Sequence, residues 1–172
     1  MKKQQGFTLI EMILYIGIVS IFLGGVVRVA WNSIYGRVKA QVMEHVNYAA
    51  RFVGKRMMYE IRNASAINSV SVNSLCLAST NSTYNPTRIY LSGGVIRIGW
   101  GGGVATCVTT TNDVALTGTN VTVSSLVFTN LTSGSLTKHI QFTYTVSSSA
   151  TSGRQEYIWS QNYEGSAEVR SH

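Results

Sequence analysis

The sequence predicts an α+β protein in which one long N-terminal helix packs on a C-terminal antiparallel β-sheet head. The helix is indicated by the lack of any proline before Pro86 and by apolar residues that recur every three or four positions up to residue 64. The head is indicated by short β-type runs between turn signals, in a segment (63–172) that holds 18 serines, 16 threonines and 9 asparagines.

The first element is an apolar run from Phe7 to Val27, in which Glu11 is the only charged side chain. As a helix the run would be about 32 Å long, which matches the hydrocarbon core of a bilayer. A charge inside such a span costs a few kcal/mol, so we expect Glu11 to have a partner. A cleaved secretory signal fits poorly, because the run is long and the small residue Gly6 precedes it. A plain membrane anchor fits better but leaves Glu11 unexplained.

The stretch "KKQQGFTLIEMILYIGI" resembles the class III signal of type IV prepilins and type II secretion pseudopilins, nearly unbroken over "GFTLIE". The resemblance implies a pilin-like fold and a leader, residues 1–6, that a prepilin peptidase removes between Gly6 and Phe7. It also implies N-methylation of Phe7 and a role for Glu11 in subunit assembly, where it would neutralise the N-terminal amine of a neighbouring subunit. Opposite charges in apolar surroundings attract strongly, and each is costly alone.

The same resemblance implies where the protein resides and what it meets. Residues 7–27 would hold it in the cytoplasmic membrane as a single-pass, N-in protein, until it enters a cell-surface or periplasmic filament. Its partners would be other pilin or pseudopilin subunits, the prepilin peptidase, the assembly platform and the lipid bilayer. Charge bias alone does not fix the orientation, because Lys2 and Lys3 precede the span while Arg28, Arg37 and Lys39 follow it.

The second predicted element is an amphipathic stem helix over residues 28–64. Its apolar stripe consists of Trp31, Ile34, Val38, Val42, Val46, Ala49, Val53, Met57, Ile61 and Ala64. Arg56 and Glu60 are spaced to pair across one turn on the exposed side. Four glycines lower the helix propensity and are places where the helix could bend or melt: Gly24, Gly25, Gly36 and Gly54.

The third predicted element is a β-rich head over residues 65–172, with one antiparallel sheet whose apolar face lies on the stem. The run "RIYLSGGVIRIGW" predicts a hairpin that turns at Gly93 and Gly94. Further strands are expected in "ATCVTT", "NVTVSSLVFTNL", "KHIQFTYTVSS" and "RQEYIWSQ". Cys76 and Cys107 are either a disulfide, which would stabilise an extracytoplasmic head by about 3 kcal/mol, or two buried free thiols.

Residues that could carry catalysis or bind a metal are sparse. Asp113 is the only aspartate, His45 lies on the predicted stem, His139 opens a predicted strand and His172 is the last residue. No nucleophile-elbow motif and no CxxC or His-rich spacing accompanies them. The sequence therefore predicts no enzyme activity, no metal site and no cofactor.

The positive net charge raises the question whether the chain binds nucleic acid. The chain carries a formal charge of +7, and most of the excess lies in residues 28–62 rather than in the nearly neutral head. The densest cluster is Arg51, Lys55, Arg56 and Arg62, on a stem that we expect the head or neighbouring subunits to cover. Nucleic acid is therefore not an expected partner; acidic neighbouring surfaces or anionic lipid fit better.

Differences between this sequence and major pilins indicate which kind of pilin-like subunit it resembles. Gly24, Gly25 and Arg28 stand where major pilins often have a proline, and both cysteines lie mid-chain rather than near the C-terminus. The long stem ending in "GKRMMYEIRNAS" and the closing "SAEVRS" are similar to PilW-type minor pilins or J-type pseudopilins. The resemblance thus implies a minor pilin or pseudopilin of a type IV pilus or type II secretion-like filament. The open alternative is a static, membrane-anchored adhesin or binding module that is never polymerised.

Overall fold

A computed structural model describes residues 8–103, 106–133, 138–150 and 153–170 of the chain. The described residues form one long helix followed by eight strands, with two short 3-10 helices at Ser82–Tyr84 and Gln155–Tyr157. In chain order, the main elements are α1 Leu9–Asn63, β1 Ala66–Ser71, β2 Ser74–Ala78, β3 Thr87–Ser92, β4 Val95–Trp100, β5 Asn112–Ala115, β6 Val121–Asn130, β7 His139–Ser148 and β8 Ser160–Glu168.

Helix α1 is continuous over 55 residues, or about 82 Å at 1.5 Å per residue. It runs without interruption through the four glycines that were expected to weaken it, because each of their neighbours continues the hydrogen-bond ladder. It ends where Ala64 turns to an extended backbone and donates its N–H to the carbonyl of Ile61 at 3.4 Å. The prediction of a single long helix is therefore confirmed.

The head contains two antiparallel sheets rather than the one that was predicted. Strands β1 to β5 form a five-stranded sheet in sequence order, and β6, β7 and β8 form a three-stranded sheet. Strand β6 also joins the first sheet at two points: Val123 donates its backbone N–H to Gly94, and Phe128 donates to Val72, at 2.8 and 2.9 Å. The helix packs on the three-stranded sheet, mainly on β8 and β7.

One apolar core unites the helix and both sheets. The helix contributes Val46, Ala50, Val53, Met57 and Ile61, each at most 1% exposed. The first sheet contributes Leu75, Leu77, Ile89, Ile96 and Ile98, and the second contributes Val121, Val123, Leu126, Phe128, Ile140, Phe142, Tyr144, Val146 and Ala167. Burying side chains of this size stabilises a fold by about 1.5–3 kcal/mol each, so the membrane-distal third of α1 is fixed to the head.

Three of the strand predictions are confirmed. The hairpin of β3 and β4 pairs Ser92 with Val95 across a two-residue turn, in which Gly93 and Gly94 have φ angles of +58° and +76°. Positive φ at both positions is the turn geometry that best matches the twist of a hairpin, and glycine adopts it without strain. Strands β6 and β7 lie within "NVTVSSLVFTNL" and "KHIQFTYTVSS", with one register shift between Val123 and Ser125.

Two strand predictions are wrong. In "ATCVTT" the described residues 106–110 form no strand, because Cys107 has a φ of +53°, outside the range of extended backbone. The strand begins later, at Asn112. In "RQEYIWSQ" only Ser160 and Gln161 belong to a strand, since Gln155–Tyr157 forms a 3-10 turn against the stem.

Candidate assembly site on the N-terminal helix

The start of α1 places the one carboxylate of the apolar run in the first helical turn. Thr8 is the N-cap residue, with an extended backbone, and its carbonyl accepts the first helical hydrogen bond, from Met12, at 3.2 Å. Glu11 is the acidic residue of that turn, where the partial positive charge of the helix N-terminus favours a carboxylate. Gly6 and Phe7, the predicted cleavage and methylation positions, lie outside the described residues, as do Lys2, Lys3 and His172.

The apolar run stands clear of the head along its whole described length. Leu9 is 80% exposed, Ile21 81% and Phe22 70%, and the helix is long and apolar enough to cross a membrane. Trp31 and Ile34 of the predicted stripe are also half-exposed, so the stripe does not meet the head at its membrane-proximal end. An unburied apolar helix of this length needs a membrane or other subunits to cover it.

Close packing on the head begins where small residues of α1 meet aromatic rings of the sheet. The hydroxyl of buried Tyr144 donates a hydrogen bond to the carbonyl of Ala50, and burial raises the pKa of that hydroxyl, so it remains a donor. A Cβ atom at Gly54 would lie 2.4 Å from Cε1 of Tyr163. Ala50 and Gly54 were not part of the predicted stripe, which had Ala49, a half-buried neighbour, in place of the buried Ala50.

The membrane-proximal end of the head is fastened to the stem by Lys39. Its Nζ donates hydrogen bonds to the carbonyl oxygens of Gln155 and Ile158 at 3.0 and 2.6 Å, and lies 5.4 Å from the ring centroid of Trp159. Arg154 lies over the ring of Tyr35 at 5.3 Å. These contacts extend the head along the stem below the apolar core, and no sequence motif signalled them.

The predicted ion pair on the stem is confirmed. Nη2 of Arg56 lies 2.6 Å from Oε1 of Glu60. Burial raises the pKa of Glu60, and the charge of Arg56 partly offsets that rise. The other basic residues of the predicted cluster are exposed, and so is Arg56 itself. Of the two expected covers, the head does not supply one, and neighbouring subunits stay a prediction. The head binds the opposite side of the helix.

Cys76 and Cys107 are joined as a disulfide, with their Cα atoms 5.9 Å apart and a sequence separation of 31. The bond ties β2 to the loop between β4 and β5. Both residues are buried, at 2% and 3% exposure. Of the two alternatives that the sequence left open, the structure therefore has the disulfide rather than two free thiols.

The residues considered for catalysis are not assembled into a site. Asp113 lies on β5, where it pairs with Arg97 at 2.8 Å and accepts a hydrogen bond from the hydroxyl of Tyr90 at 2.8 Å. His139 begins β7 in the other sheet, and His45 is exposed on the stem. Within the described ranges no group of three or more His, Cys, Asp or Glu residues could hold a metal ion.

Comparison with known proteins identifies the N-terminal segment. Residues 1–27 match the family described as the prokaryotic N-terminal methylation motif. No curated protein and no solved structure gives a significant match to the chain. The motif, followed by an apolar helix and an antiparallel β head, supports a type IV pilin-like or pseudopilin precursor. They point to a structural subunit rather than an enzyme, and the motif implies processing by a prepilin peptidase and assembly with other pilins.

Proposed function

We propose that the chain is a minor pilin or pseudopilin, a structural subunit of a type IV pilus or type II secretion-like filament. The observation that carries this proposal is the exposed apolar half of α1, which extends beyond a well-packed head and has Glu11 in its first turn. In a protein that used this segment only as an anchor, the charge would make membrane insertion less favourable and would serve no function.

The chain is divided into four parts with different tasks. Residues 1–6 are the leader, which is cut after Gly6, and Phe7 then becomes the N-methylated first residue. Residues 7–27 hold the precursor in the cytoplasmic membrane with its N-terminus inside, and later pack in the filament. Residues 28–64 form the stem, and residues 65–172 are the head, displayed in the periplasm or at the cell surface.

Assembly is guided by Glu11. The positively charged amine of Phe7 in one subunit pairs with the carboxylate of Glu11 in its neighbour while both leave the bilayer. Either charge left alone in apolar surroundings would be penalised by several kcal/mol, so only one axial register satisfies both.

The test uses cells that contain a prepilin peptidase and an assembly system. The mature protein should begin at N-methylated Phe7 by mass spectrometry and N-terminal sequencing, and it should appear in sheared surface fractions or in secretion filaments. Glu11→Ala should be cleaved normally and incorporated about tenfold less, whereas Glu44→Ala, which removes an exposed carboxylate from the same helix, should behave as wild type.

Two results would contradict the proposal. A protein with an intact Met1, held entirely in membranes, would be the static anchored adhesin or binding module. Equal incorporation of Glu11→Ala and Glu44→Ala would remove the register argument, even if cleavage occurred.

A further inference from the structure

Basic and aromatic side chains collect where the apolar run of α1 ends and the head begins to contact the stem. They are Arg28, Trp31, Tyr35, Arg37 and Arg154, and we call these five residues the collar. The first four belong to α1, whereas Arg154 belongs to the head and is the N-cap residue of its second 3-10 turn. All five are exposed, Trp31 at 53% and Tyr35 at 40%. The fold of the single chain therefore leaves the collar uncovered.

The collar lies at the depth of a membrane interface if residues 7–27 span the hydrocarbon core. At 1.5 Å per residue, Arg28 lies about 2 Å beyond Val27, Trp31 about 6 Å and Tyr35 about 12 Å. The headgroup layer of a bilayer is about 5–8 Å thick. Helical side chains point back toward the N-terminus, so Tyr35 and Arg37 lean toward that layer. Tryptophan and tyrosine are also the residues that are enriched at this depth in membrane proteins.

One stripe of the stem leads from the membrane boundary to the head. Arg28, Trp31, Tyr35 and Lys39 are spaced by three, four and four positions, which keeps them on one side of the helix. The rings of Trp31 and Tyr35 stack with their centroids 6.0 Å apart. The guanidinium of Arg154 lies 5.3 Å from the ring centroid of Tyr35. The head therefore adds its own cation to the stripe.

An open cleft lies where the head meets this stripe. Its volume is about 570 Å³, and it is lined by Tyr35, Lys39, Arg154, Gln155 and Glu156. The ammonium group of Lys39 has three N–H donors and gives two of them to the carbonyl oxygens of Gln155 and Ile158, which leaves one. The side chain of Arg154 is 55% exposed. The cleft thus offers N–H donors and positive charge of the kind that binds a phosphate group.

Nearby carboxylates do not balance the charge of the collar. Arg154 is paired with Glu156, whose side chain is 17% exposed against 55% for the arginine. Arg28 and Arg37 make no ion pair within the described part of the chain. The next carboxylate along the stem, Glu44, lies about 10 Å beyond Arg37 on the helix axis, or one Debye length. Two of the three arginines in the collar therefore have no carboxylate of this chain beside them.

The remaining carboxylates outside the apolar run belong to other parts of the fold. They are Glu60, Asp113, Glu164 and Glu168. The first two form ion pairs with arginines. The last two are on β8, which runs along the stem away from the collar: Tyr163 on that strand already lies against Gly54, about 40 Å beyond Val27.

The orientation of the precursor adds a reason to look for a lipid partner. Lysine and arginine are usually in excess on the cytoplasmic side of a membrane helix. In the N-in precursor proposed above, Lys2 and Lys3 are inside, whereas the collar and Lys39 are outside. Cations at that depth are favoured when anionic headgroups surround them. A protein partner would have to enter the headgroup layer to reach Arg28 and Trp31, so lipid fits the collar better.

We infer that, in the membrane-held precursor proposed above, the collar binds the phosphate headgroups of anionic lipids and holds the membrane-proximal end of the head against the membrane surface. Trp31 and Tyr35 lie at the interface, and the three arginines contact the headgroups. Leaving the bilayer for a filament then breaks a head–lipid contact as well as removing the apolar run from the hydrocarbon core.

The experiment uses the full-length protein in nanodiscs of phosphatidylcholine, with or without phosphatidylglycerol. Hydrogen exchange is followed by mass spectrometry at the backbone amides of Tyr157 and Ile158, which donate to the carbonyl oxygens of Arg154 and Gln155 at 3.1 and 3.4 Å. These amides exchange when the membrane-proximal end of the head opens. Phosphatidylglycerol should slow their exchange about fivefold, the effect of roughly one cation at an anionic surface. Exchange in the β3–β4 hairpin should not change.

Charge variants identify the collar as the cause. Arg37→Gln combined with Arg154→Gln should remove the effect of phosphatidylglycerol, while Arg37→Lys combined with Arg154→Lys should keep most of it. The matched control, Arg51→Gln combined with Lys55→Gln, removes the same charge about 36 and 42 Å beyond Val27 and should keep the whole effect. Each variant is compared with itself in the two kinds of disc, so a change in its local stability does not enter. In about 1 M salt the effect should disappear.

Three results would overturn the inference. They are equal exchange in the two kinds of disc, an effect of phosphatidylglycerol that survives the loss of Arg37 and Arg154, and the same slowing when inorganic phosphate is added to discs of phosphatidylcholine alone. The last result would mean a site for a free anion rather than a contact with the membrane.

Failure of the proposed function is seen separately. A chain that responds to phosphatidylglycerol in discs but is uncleaved or missing from filaments in cells refutes the filament role and leaves the lipid contact standing. A chain that is processed and assembled but exchanges equally in both kinds of disc refutes the lipid contact alone.

Discussion

The close approach of helix to sheet at Gly54 predicts a large effect of adding a single methyl group. Built onto Gly54, a Cβ atom would lie 2.4 and 2.5 Å from Cε1 and Cζ of Tyr163. That ring cannot move away freely, because it stacks on Tyr144 at 5.2 Å and on Phe142 at 6.4 Å. Gly54→Ala should therefore push β8 away from the stem.

Two opposing terms set the size of the effect. Alanine improves the intrinsic stability of a helix by about 0.8–1 kcal/mol relative to glycine. Overpacking a filled core by one methyl group costs about 1–3 kcal/mol, and this contact is tight enough to fall at the upper end. The net expectation for Gly54→Ala is a loss of about 1–2 kcal/mol, seen as a fall of roughly 2–8 °C in the melting temperature.

The assay is unfolding of the full-length protein in a mild detergent, followed by near-UV circular dichroism of the aromatic cluster on β7 and β8. The matched control is Gly36→Ala, the same change in the same helix, where a Cβ atom would meet nothing within 4 Å. It should not lower the melting temperature. In a double-mutant cycle, Tyr163→Leu should remove most of the cost of Gly54→Ala. A stabilised Gly54→Ala protein, or an equal cost with and without the Tyr163 ring, would refute this account of the packing.

Three further predictions concern the head and its attachment. The Cys76–Cys107 disulfide joins residues 31 apart in sequence, so reducing it should lower the free energy of unfolding by about 3–4 kcal/mol. The measurement is a urea titration, and an unchanged free energy would mean that the bond does not constrain the unfolded chain. Because burial raises the pKa of Glu60 above its ordinary 4.5, the folded state holds that proton more tightly than the unfolded chain does. The free energy of unfolding should therefore fall as the pH rises above 4.5 and through the raised pKa, and Glu60→Gln should flatten that slope. Lys39→Met should speed hydrogen exchange in residues 155–158 about fivefold without changing the melting temperature of the core, and unchanged exchange would show that these hydrogen bonds do not hold the segment.

The long helix and the paired strands were predictable because their signals are local. Apolar residues at a spacing of three or four identify α1, and alternation within β6 and β7 reflects strands with one face in the core. The Gly93–Gly94 turn was predictable because few residue pairs adopt positive φ at both positions.

The missed parts depend on contacts between distant segments. All four residues of β5 are exposed, so no alternation marks it, and it forms because Val114 and Asp113 pair with the edge of β4. The 3-10 turn at Gln155–Tyr157 is held by Lys39, more than a hundred positions away in the chain. The second sheet likewise follows from which strands pair, which no single run of residues reveals.

The residue types of the candidate site could be singled out from the sequence, but their surroundings in the fold could be predicted only in part. Glu11 stood out because a carboxylate in an apolar run needs a reason, and the structure adds that the run is uncovered and that Glu11 lies in the first turn of the helix. The basic cluster was correctly placed on the stem, and of its two expected covers the head is not one, while neighbouring subunits stay a prediction. Which side of a helix a head binds depends on contacts with distant residues, such as that of Gly54 with Tyr163, and the spacing of apolar residues along the helix does not show them.

The distribution of large and small residues around the stem favours two partners rather than one. Ala50 and Gly54 face the head, whereas Phe52 and Tyr59 face away. A helix that served only its own head would gain more from the reverse arrangement, because aromatic rings contribute the most on burial. The small residues let the sheet approach the helix axis, since a Cβ atom at Gly54 would already meet the ring of Tyr163. The rings remain exposed on the other side, where the folding of the single chain gives them no role, and the assembly role proposed above would give them a partner surface.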